Sequence, residues 1–458
     1  MNAPTEQSGA ALLTPPPRTL ILGLGETGLS CARFLARRGV PLAVADTRER
    51  PPALARLQEE LPDVPVFLGG FPAEAFARAE RIVASPGVPL ATPTIQAALA
   101  RGTAVIGDIE LFAHEVRAPV VAVTGSNGKS TVVTLLGEMA RAAGRDAAVG
   151  GNLGTPALDL LAPEHELYVL ELSSFQLETT ASLRPRAAAV LNVSPDHLDR
   201  YPDLETYTQA KARIYRGAGT GVINRDDPRV GAMRGRASRE LGFGLDRAGP
   251  DDFRLGRRHH EDWLWRGATP LLPVARMGLS GRHNLANALA ALALGEAVGL
   301  PMPAMLEALR RFRGLPHRTQ RVAERRGVQW YDDSKGTNPG ATIAALEGLH
   351  DGRPGTLLIA GGLCKDADFG PLAEAAARTC RAVILIGRDA PVLRQALHGR
   401  IPLLLGAPTL EAAVAQAADI ARPGERVLLS PACASFDMFS GFAHRGRVFA
   451  QAVEGLAP

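Results

Sequence analysis

The sequence predicts an α/β fold of three domains built on mostly parallel sheets, and three observations carry that expectation. Short β-branched or Leu-rich runs ending in glycine or a polar residue alternate with Ala-, Leu- and Arg-rich helical stretches along the whole chain, the pattern of βαβ units. The length, 458 residues, suits about three ordinary domains. The pattern breaks twice, near 114–119 and across Arg313-Gly-Leu-Pro-His-Arg318. These breaks put a loose, proline-rich tail at 1–17, a first domain at 18–117, a central domain at 118–314 and a third at 315–458.

Taken in order, strands are expected at 19–25, 40–46 and 81–87 in the first domain and at 120–125, 167–171 and 187–192 in the second. In the third they are expected at 328–332, 356–361, 382–387 and 427–431. The segment 240–275, with Trp263 and Trp265 among polar residues, reads as irregular strands inserted in the central domain. Several runs end in residues with chemistry, such as Asp46, Glu171, Asn192 and Ser430. In open α/β sheets ligands sit beyond the carboxyl ends of the strands, so this placement favours function.

Composition removes several classes. With 46% hydrophobic and 21% charged residues the chain can bury several cores, which excludes disordered and collagen-like proteins. The net charge is only +4, and short basic patches such as Arg257-Arg258-His259-His260 suit solvated surface better than a phosphate track, so no nucleic-acid partner is expected. No apolar stretch reaches the roughly 18 residues of a membrane span. The first residues lack the basic start and apolar run of a signal peptide. Cys31, Cys364, Cys380 and Cys433 have no zinc spacing and read as reduced thiols, so a soluble cytoplasmic protein with no membrane partner is expected.

Gly23-Leu-Gly25-Glu-Thr-Gly28 follows a strand and opens a helix, with Asp46 at the end of the next strand. This spacing suits a nucleotide diphosphate on a helix N-terminus, with the Asp46 carboxylate on a ribose or base; a tight packing turn is the plainer alternative. Ser85-Pro86-Gly87 lies at a later strand end of the same domain. The stronger motif is Thr124-Gly125-Ser126-Asn127-Gly128-Lys129-Ser130-Thr131, a shortened phosphate loop with Val123 where the general form has glycine. Its backbone N–H groups would cradle nucleoside-triphosphate phosphates, with Lys129 on the β/γ-phosphates and a hydroxyl of Ser130 or Thr131 on Mg²⁺.

Glu171 ends an apolar strand, where a carboxylate suits Mg²⁺ or complements a helix start. His197 sits among Asp196, Asp199 and Arg200 just past another strand, a placement that favours a ligand or substrate role. Lys211 has no feature that sets it apart from an exposed helical lysine. Tyr331-Asp332-Asp333-Ser334-Lys335-Gly336-Thr337-Asn338, Gly361-Gly-Leu-Cys-Lys-Asp366 and Ser430-Pro-Ala-Cys-Ala-Ser435 are polar turns at strand ends, and strand ends of one sheet border one crevice.

These motifs resemble the Mur ligase family over essentially the whole chain, from about Arg18 to Phe449. The likeness also rests on Gly107-Asp-Ile-Glu-Leu-Phe112, Gly150-Gly-Asn-Leu-Gly154, His283-Asn-Leu-Ala-Asn287 and Leu315-Pro-His-Arg318. The phosphate loop alone fits any Mur ligase or folylpolyglutamate synthetase; Glu171-Leu-Ser-Ser-Phe-Gln-Leu-Glu178 with Ser430-Pro-Ala-Cys-Ala-Ser435 points to the branch that adds D-glutamate. The resemblance implies a Rossmann-like N-terminal domain, a central P-loop-type ATPase domain on a mostly parallel sheet, and a Rossmann-like C-terminal domain. It implies ATP-dependent addition of D-glutamate to UDP-N-acetylmuramoyl-L-alanine by a monomer.

It further implies that Thr27, Asp46, Thr47, Arg48, Ser85 and Gly87 surround the uridine diphosphate, with Asn152 and His197 on the rest of that substrate. Gly125 to Thr131, Asn287, Arg318, Asp333 and Lys335 would hold ATP. Lys129, Glu171, His197 and Lys211 would be catalytic, and Ser130, Glu171, His197 and Lys211 would hold two Mg²⁺ ions, Lys211 as a carbamate. Thr337, Lys365, Ser435 and Phe442 would receive D-glutamate. The second half of the turn at 361–365 varies among relatives, and Cys364 is its unexpected residue. A nicotinamide-dependent oxidoreductase would use the Gly23 motif but leave Lys129 and the third domain without a part.

Overall fold

The computed structural model describes residues 18–279, 281–364 and 367–456, so the expected tail at 1–17 and Lys365 lie outside the described residues. The chain forms two compact units, Met1–Pro119 with Ala148–Arg184, and Val120–Ala147 with Pro185–Pro458.

In the first unit, β1 (Thr19–Leu22), β2 (Leu42–Ala45), β3 (Val66–Phe67), β4 (Arg81–Ala84) and β5 (Ala104–Ile106) form a parallel sheet in the order β3-β2-β1-β4-β5. β1 and β2 read Thr-Leu-Ile-Leu and Leu-Ala-Val-Ala and are buried at every position, as strands covered on both faces must be. The strand order reverses beside β1, which opens a crevice at the carboxyl ends of β1 and β4. Gly28 is fixed by the turn there, since a Cβ would stand 1.9 Å from the Gly23 carbonyl oxygen.

Within the same unit, Gln176 Nε2 donates to Asp108 Oδ2 at 2.9 Å, while Gln176 also closes a capping box with Ser173 at the start of the helix Ser174–Glu178. Glu110 accepts the N–H groups of Ala181 and Ser182 at 2.6 and 2.9 Å, and the Ser182 hydroxyl. Asp108 is buried and its Oδ1 has no hydrogen-bond partner among the described residues, and desolvation pushes its carboxyl up to about 6 in spite of the Gln176 bond.

The second unit contains β6 (Val120–Thr124), and the first contains most of β7 (Ala147–Gly151) and all of β8 (Leu167–Glu171), which neighbour each other. From β6 the second unit continues through β9 (Ala187–Val190), β10 (Thr220–Asn224) and β11 (Arg239–Gly244), all parallel. β12 (Phe253–Arg258), β13 (Glu261–Arg266) and β14 (Thr269–Pro273) complete this side as an antiparallel meander. The 240–275 segment is therefore regular, with one register shift at Leu264/Trp265. The helix Arg282–Ala297 is apolar nearly all round and buries every residue from Asn287 to Gly295, as expected of a core helix.

The last sheet has the order β15-β16-β20-β17-β18-β19, from β15 (Gln320–Arg325), β16 (Val328–Asp332), β17 (Thr356–Gly361), β18 (Cys380–Ile386), β19 (Leu403–Gly406) and β20 (Arg426–Leu429). Only the edge strand β15 is antiparallel. One face packs Leu358, Leu372 and Val383, the other Trp330, Ile359 and Phe449.

Asp108 gives a pH test of the first unit. Its folded value is raised, so its stabilising contribution is complete below about pH 4 and falls as the pH rises through about 6. Asp108→Asn is expected to gain at most about 3 kcal/mol at pH 8 and nothing at pH 4, read by urea unfolding. An equal effect at both pH values would contradict the assignment.

Candidate functional site

β6 runs into the phosphate loop, and the loop into the helix Lys129–Ala142. Gly128 caps that helix at φ +86, and a Cβ there would stand 2.4 Å from Asn287 Oδ1. The loop is clamped from the end of β9. Asn192 Oδ1 accepts the Asn127 N–H at 2.8 Å, its Nδ2 donates to the Asn127 carbonyl at 3.0 Å, and its carbonyl accepts the Ser126 N–H at 3.0 Å. Ser126 Oγ donates to the Ser194 carbonyl and accepts the Ser194 N–H, each at 3.0 Å.

Two ammonium groups converge on this loop. Lys129 Nζ donates to the carbonyls of Gly125 and Ser126 at 2.8 and 3.1 Å, and Lys211 Nζ donates to the same Gly125 carbonyl at 3.0 Å. Lys211 is 2% exposed and lies 4.4 Å from the centre of the Tyr207 ring. An ammonium buried this deeply needs partners, and the Gly125 carbonyl and the Tyr207 ring are two of them.

A cavity of about 780 Å³ opens in front of the loop, lined by Asn127, Gly128, Thr131, Asn287, Arg318, Asp333 and Lys335 among others. Arg318 Nη2 donates to Ser130 Oγ at 2.7 Å. Asp333 Oδ1 accepts the Thr319 N–H at 2.9 Å and its Oδ2 accepts the Ser430 hydroxyl at 2.6 Å. Burial pushes this carboxyl up to about 6 against those bonds. Lys335 Nζ rests 4.0 Å from the centre of the Phe442 ring. A smaller pocket beside Asn338 is lined by Asp196, His197, Thr337, Cys364 and Ala432. His197 holds a left-handed backbone, φ +56, with Nε2 3.7 Å from Asp196 Oδ2.

The first unit has its own pocket, about 580 Å³, lined by Thr27, Asp46, Thr47, Arg48, Ser85, Gly87, Asn152 and Gln176 among others. Asp46 Oδ2 accepts the Leu24 N–H at 2.7 Å, and Arg48 meets both carboxylate oxygens through Nε and Nη2 at 2.8 and 2.7 Å. Burial would raise this carboxyl, but the Arg48 and backbone hydrogen bonds outweigh it and hold it below the ordinary range. In the same unit Asn152 Nδ2 donates to the buried Glu171 Oε1 at 2.8 Å.

Three family models match the chain: a Mur ligase MurD-like N-terminal domain over residues 17–107, a Mur ligase middle domain over 123–295, and a Mur ligase glutamate ligase domain over 317–433. The chain belongs to the Mur ligase family. The relatives of this Mur ligase include proteins named UDP-N-acetylmuramoylalanine--D-glutamate ligase. The one from Nitrosococcus oceani is 56% identical over 100% of this chain and 99% of its own length, and the one from Pseudomonas aeruginosa is 54% identical over 96% and 98%. Among solved structures, UDP-N-acetylmuramate-alanine ligase from Thermotoga maritima aligns with a TM-score of 0.61 at 19% identity, over 95% of this chain and 99% of that one. A pseudomurein peptide ligase from Methanothermus fervidus aligns with a TM-score of 0.63 at 16% identity, over 95% and 99%. The α/β architecture with three sheets is that of the Mur ligases.

In this Mur ligase the residues expected around uridine diphosphate, together with Asn152, line one pocket in the first unit. His197, Lys211 and Ser130 belong to the second unit, and Glu171 to the first. Of the residues expected to receive D-glutamate, Thr337 lines the pocket of His197, Ser435 is buried at 3%, and Phe442 packs on Lys335 and on the His317 ring, centroids 6.3 Å apart. Sequence reasoning passed over Asn192 as a loop clamp, Tyr207 beside Lys211, and Arg445. Arg445 is 1% exposed and ties Ser334 to the Cys433 carbonyl. Asn192 was visible as a strand-end residue; Arg445 lies on an ordinary helix with no local signal.

Replacing Asn192 by Ala is expected to release the loop and weaken ATP binding at least about tenfold, the loss of one or more charge-competent hydrogen bonds. Calorimetric titration of ATP measures it. An unchanged affinity would show that the loop holds its shape without the clamp.

Proposed function

We propose that this chain joins D-glutamate to the alanyl carboxylate of UDP-N-acetylmuramoyl-L-alanine at the expense of ATP, in the cytoplasmic assembly of a peptidoglycan precursor. The observation that carries this reading is the phosphate loop, with the Lys129 and Lys211 side chains on its Gly125 carbonyl and a cavity of about 780 Å³ lined by its Asn127, Gly128 and Thr131, in a chain whose full-length relatives bear that ligase's name. The three segments at 18–117, 118–314 and 315–458 then serve UDP, ATP and the amino acid.

A carboxylate is a poor electrophile, so the alanyl carboxylate must first take the γ-phosphoryl group of ATP. Lys129 places positive charge beside the loop, where it stabilises the transferring phosphoryl group. Arg318 and Asn287, with Asp333 and Lys335, orient the nucleotide from across the cavity. The donor set suits Mg²⁺, which prefers oxygen: the Ser130 hydroxyl and the Glu171 carboxylate are each an oxygen ligand of that kind, and His197 with a carbamylated Lys211 would hold a further ion. Bound there, Mg²⁺ would supply charge neutralisation on the phosphates.

The amine of D-glutamate then attacks the acyl phosphate, and the tetrahedral intermediate expels phosphate to leave an amide. Thr337, Lys365, Ser435 and Phe442 form the proposed glutamate subsite. The amine proton passes either to His197, which lines the pocket of Thr337, or to a phosphate oxygen. The Thr27 end of the helix Glu26–Arg37 offers a diphosphate site, with Asp46 and Arg48 beside it in the same pocket. No step requires a second copy of the chain, and a monomer is proposed.

Phosphate release is expected only when UDP-N-acetylmuramoyl-L-alanine, ATP, Mg²⁺ and D-glutamate are all present. Turnover with L-alanine, a diamino acid or a folate in place of D-glutamate would overturn the reading. Lys129→Ala is expected to lower kcat by at least about a hundredfold, the size of one lost transition-state donor. Calorimetry should find its affinity for the UDP substrate within about twofold of the parent, and loss of both would argue against separate sites.

A further inference from the structure

None of the four cysteines takes part in the chemistry above, and two of them, Cys364 and Cys433, stand together. Leu363 and Ala434 form an antiparallel bridge in which each N–H donates to the other's carbonyl, at 2.9 and 3.0 Å. One residue along from this pair, Cys364 and Cys433 face each other at the rung that carries no ladder hydrogen bonds, where Cα atoms stand about 4.5 Å apart. Their backbone groups go elsewhere: the Cys364 N–H donates to Asp389 Oδ2 at 2.9 Å, and the Cys433 carbonyl accepts from Arg445 Nη1 at 3.2 Å. The two sulfurs are 3.4 Å apart. A Cα spacing of that size lies within the roughly 4.4–6.8 Å that a disulfide spans.

Their surroundings give the two thiols different roles. Cys364 lines the small pocket with His197, Thr337 and Ala432, and its free volume of about 20 Å³ admits one water-sized molecule. Cys433 is 1% exposed, and its hydrogen bond with Cys364, then burial, push its thiol up. A small oxidant therefore meets Cys364 first, and Cys433 is the thiol positioned to resolve the product.

We propose that Cys364 and Cys433, facing each other across the turns that flank the glutamate subsite, form a peroxide-sensitive dithiol whose disulfide lowers ligase activity. In the first step hydrogen peroxide oxidises Cys364: its O–O bond breaks, one oxygen joins Sγ as a sulfenic acid, and the other leaves as water with the thiol proton. In the second, the Cys433 sulfur attacks the sulfenic sulfur, the S–S bond forms, and the hydroxyl leaves as water with the Cys433 proton. Two electrons pass from the two thiols to one peroxide, and a dithiol reductant returns them. Closing 3.4 Å to the roughly 2.05 Å of an S–S bond moves Cys364 Sγ within the wall of the pocket it shares with Thr337 and His197 and ties the two turns covalently. Lys365 follows Cys364 in the chain and Ser435 lies two residues beyond Cys433, and misplacement of about 1 Å at such groups costs about a hundredfold in rate.

Formation of the disulfide is independent of the glutamate reading, whereas its effect on rate rests on it. The full chain is treated with graded hydrogen peroxide, its disulfides are mapped by mass spectrometry without reduction, and D-glutamate-dependent phosphate release is assayed on the same samples. The expected result is a peptide linking Cys364 to Cys433, a fall in rate of about a hundredfold, and recovery on adding dithiothreitol. Cys364→Ala and Cys433→Ala are each expected to lose the linked peptide and the dithiothreitol-reversible part of the inhibition, whatever their starting rates. Oxidation of Cys364 without a linked peptide, or a linked peptide with an unchanged rate, would overturn the proposal. The linked peptide is detected without turnover, so an untreated chain that shows no D-glutamate-dependent phosphate release counts against the functional reading and not against the dithiol.

Discussion

The hydrogen-bond clamp between Asn192 and Asn127 is the constraint on which the rest of the second unit depends. A loop that is to bind an anion through its own backbone has to keep N–H groups turned outward, and something else must hold its shape. Here one amide side chain from the end of β9 satisfies both backbone groups of Asn127, and Ser126 and Ser194 bond reciprocally beside it. Gly125 and Gly128 permit the fit because a Cβ at either would meet backbone atoms of Leu191 and Asn192 or the Asn287 amide. With the shape fixed from outside, the Gly125 carbonyl serves two ammonium groups at once.

The same logic extends to the last sheet. Arg318 reaches Ser130, and Asn338 caps the helix Pro339–Leu349 while its Nδ2 donates to Asn127 Oδ1 and Asp196 Oδ2 at 3.3 and 3.2 Å. The turns that carry Asp333, Lys335 and Thr337 are thus tied to the phosphate loop by short polar side chains. Arg445 secures the far side by bonding Ser334 and Cys433, and burial pushes its guanidinium down to about 10. Side chains that hold a site in this way limit how far any one turn moves without the others.

The strong strands were legible because each is a continuous apolar run that ends in glycine or a polar residue. The strands that escaped notice have physical reasons in part. β3 has two residues and β5 three, β7 reads Ala-Ala-Val-Gly-Gly, and the edge strand β15 is mostly polar, whereas β10 and β19, Thr-Gly-Val-Ile-Asn and Leu-Leu-Leu-Gly, fit the apolar pattern and were still passed over. The pocket residues of the first unit followed from the Gly23 motif and the ends of β2 and β4, since geometry at a strand end is local. Lys211 was not legible, because its burial is set by Tyr207 on its own helix and by a carbonyl 86 positions away in sequence. Arg445 and the pairing of Cys364 with Cys433 arise likewise from contacts between distant segments, which local patterns do not encode.

What the loop, the lysines and the cavity have in common is that they ready a phosphoryl group for transfer to a carboxylate. The claim is that the amide forms through an acyl phosphate, and the fate of one oxygen decides it. With UDP-N-acetylmuramoyl-L-alanine labelled with ¹⁸O in its alanyl carboxylate, the phosphate released in a complete reaction should carry one ¹⁸O atom. Phosphate free of label, with turnover intact, would mean that the carboxylate is never phosphorylated and that the loop serves some other chemistry.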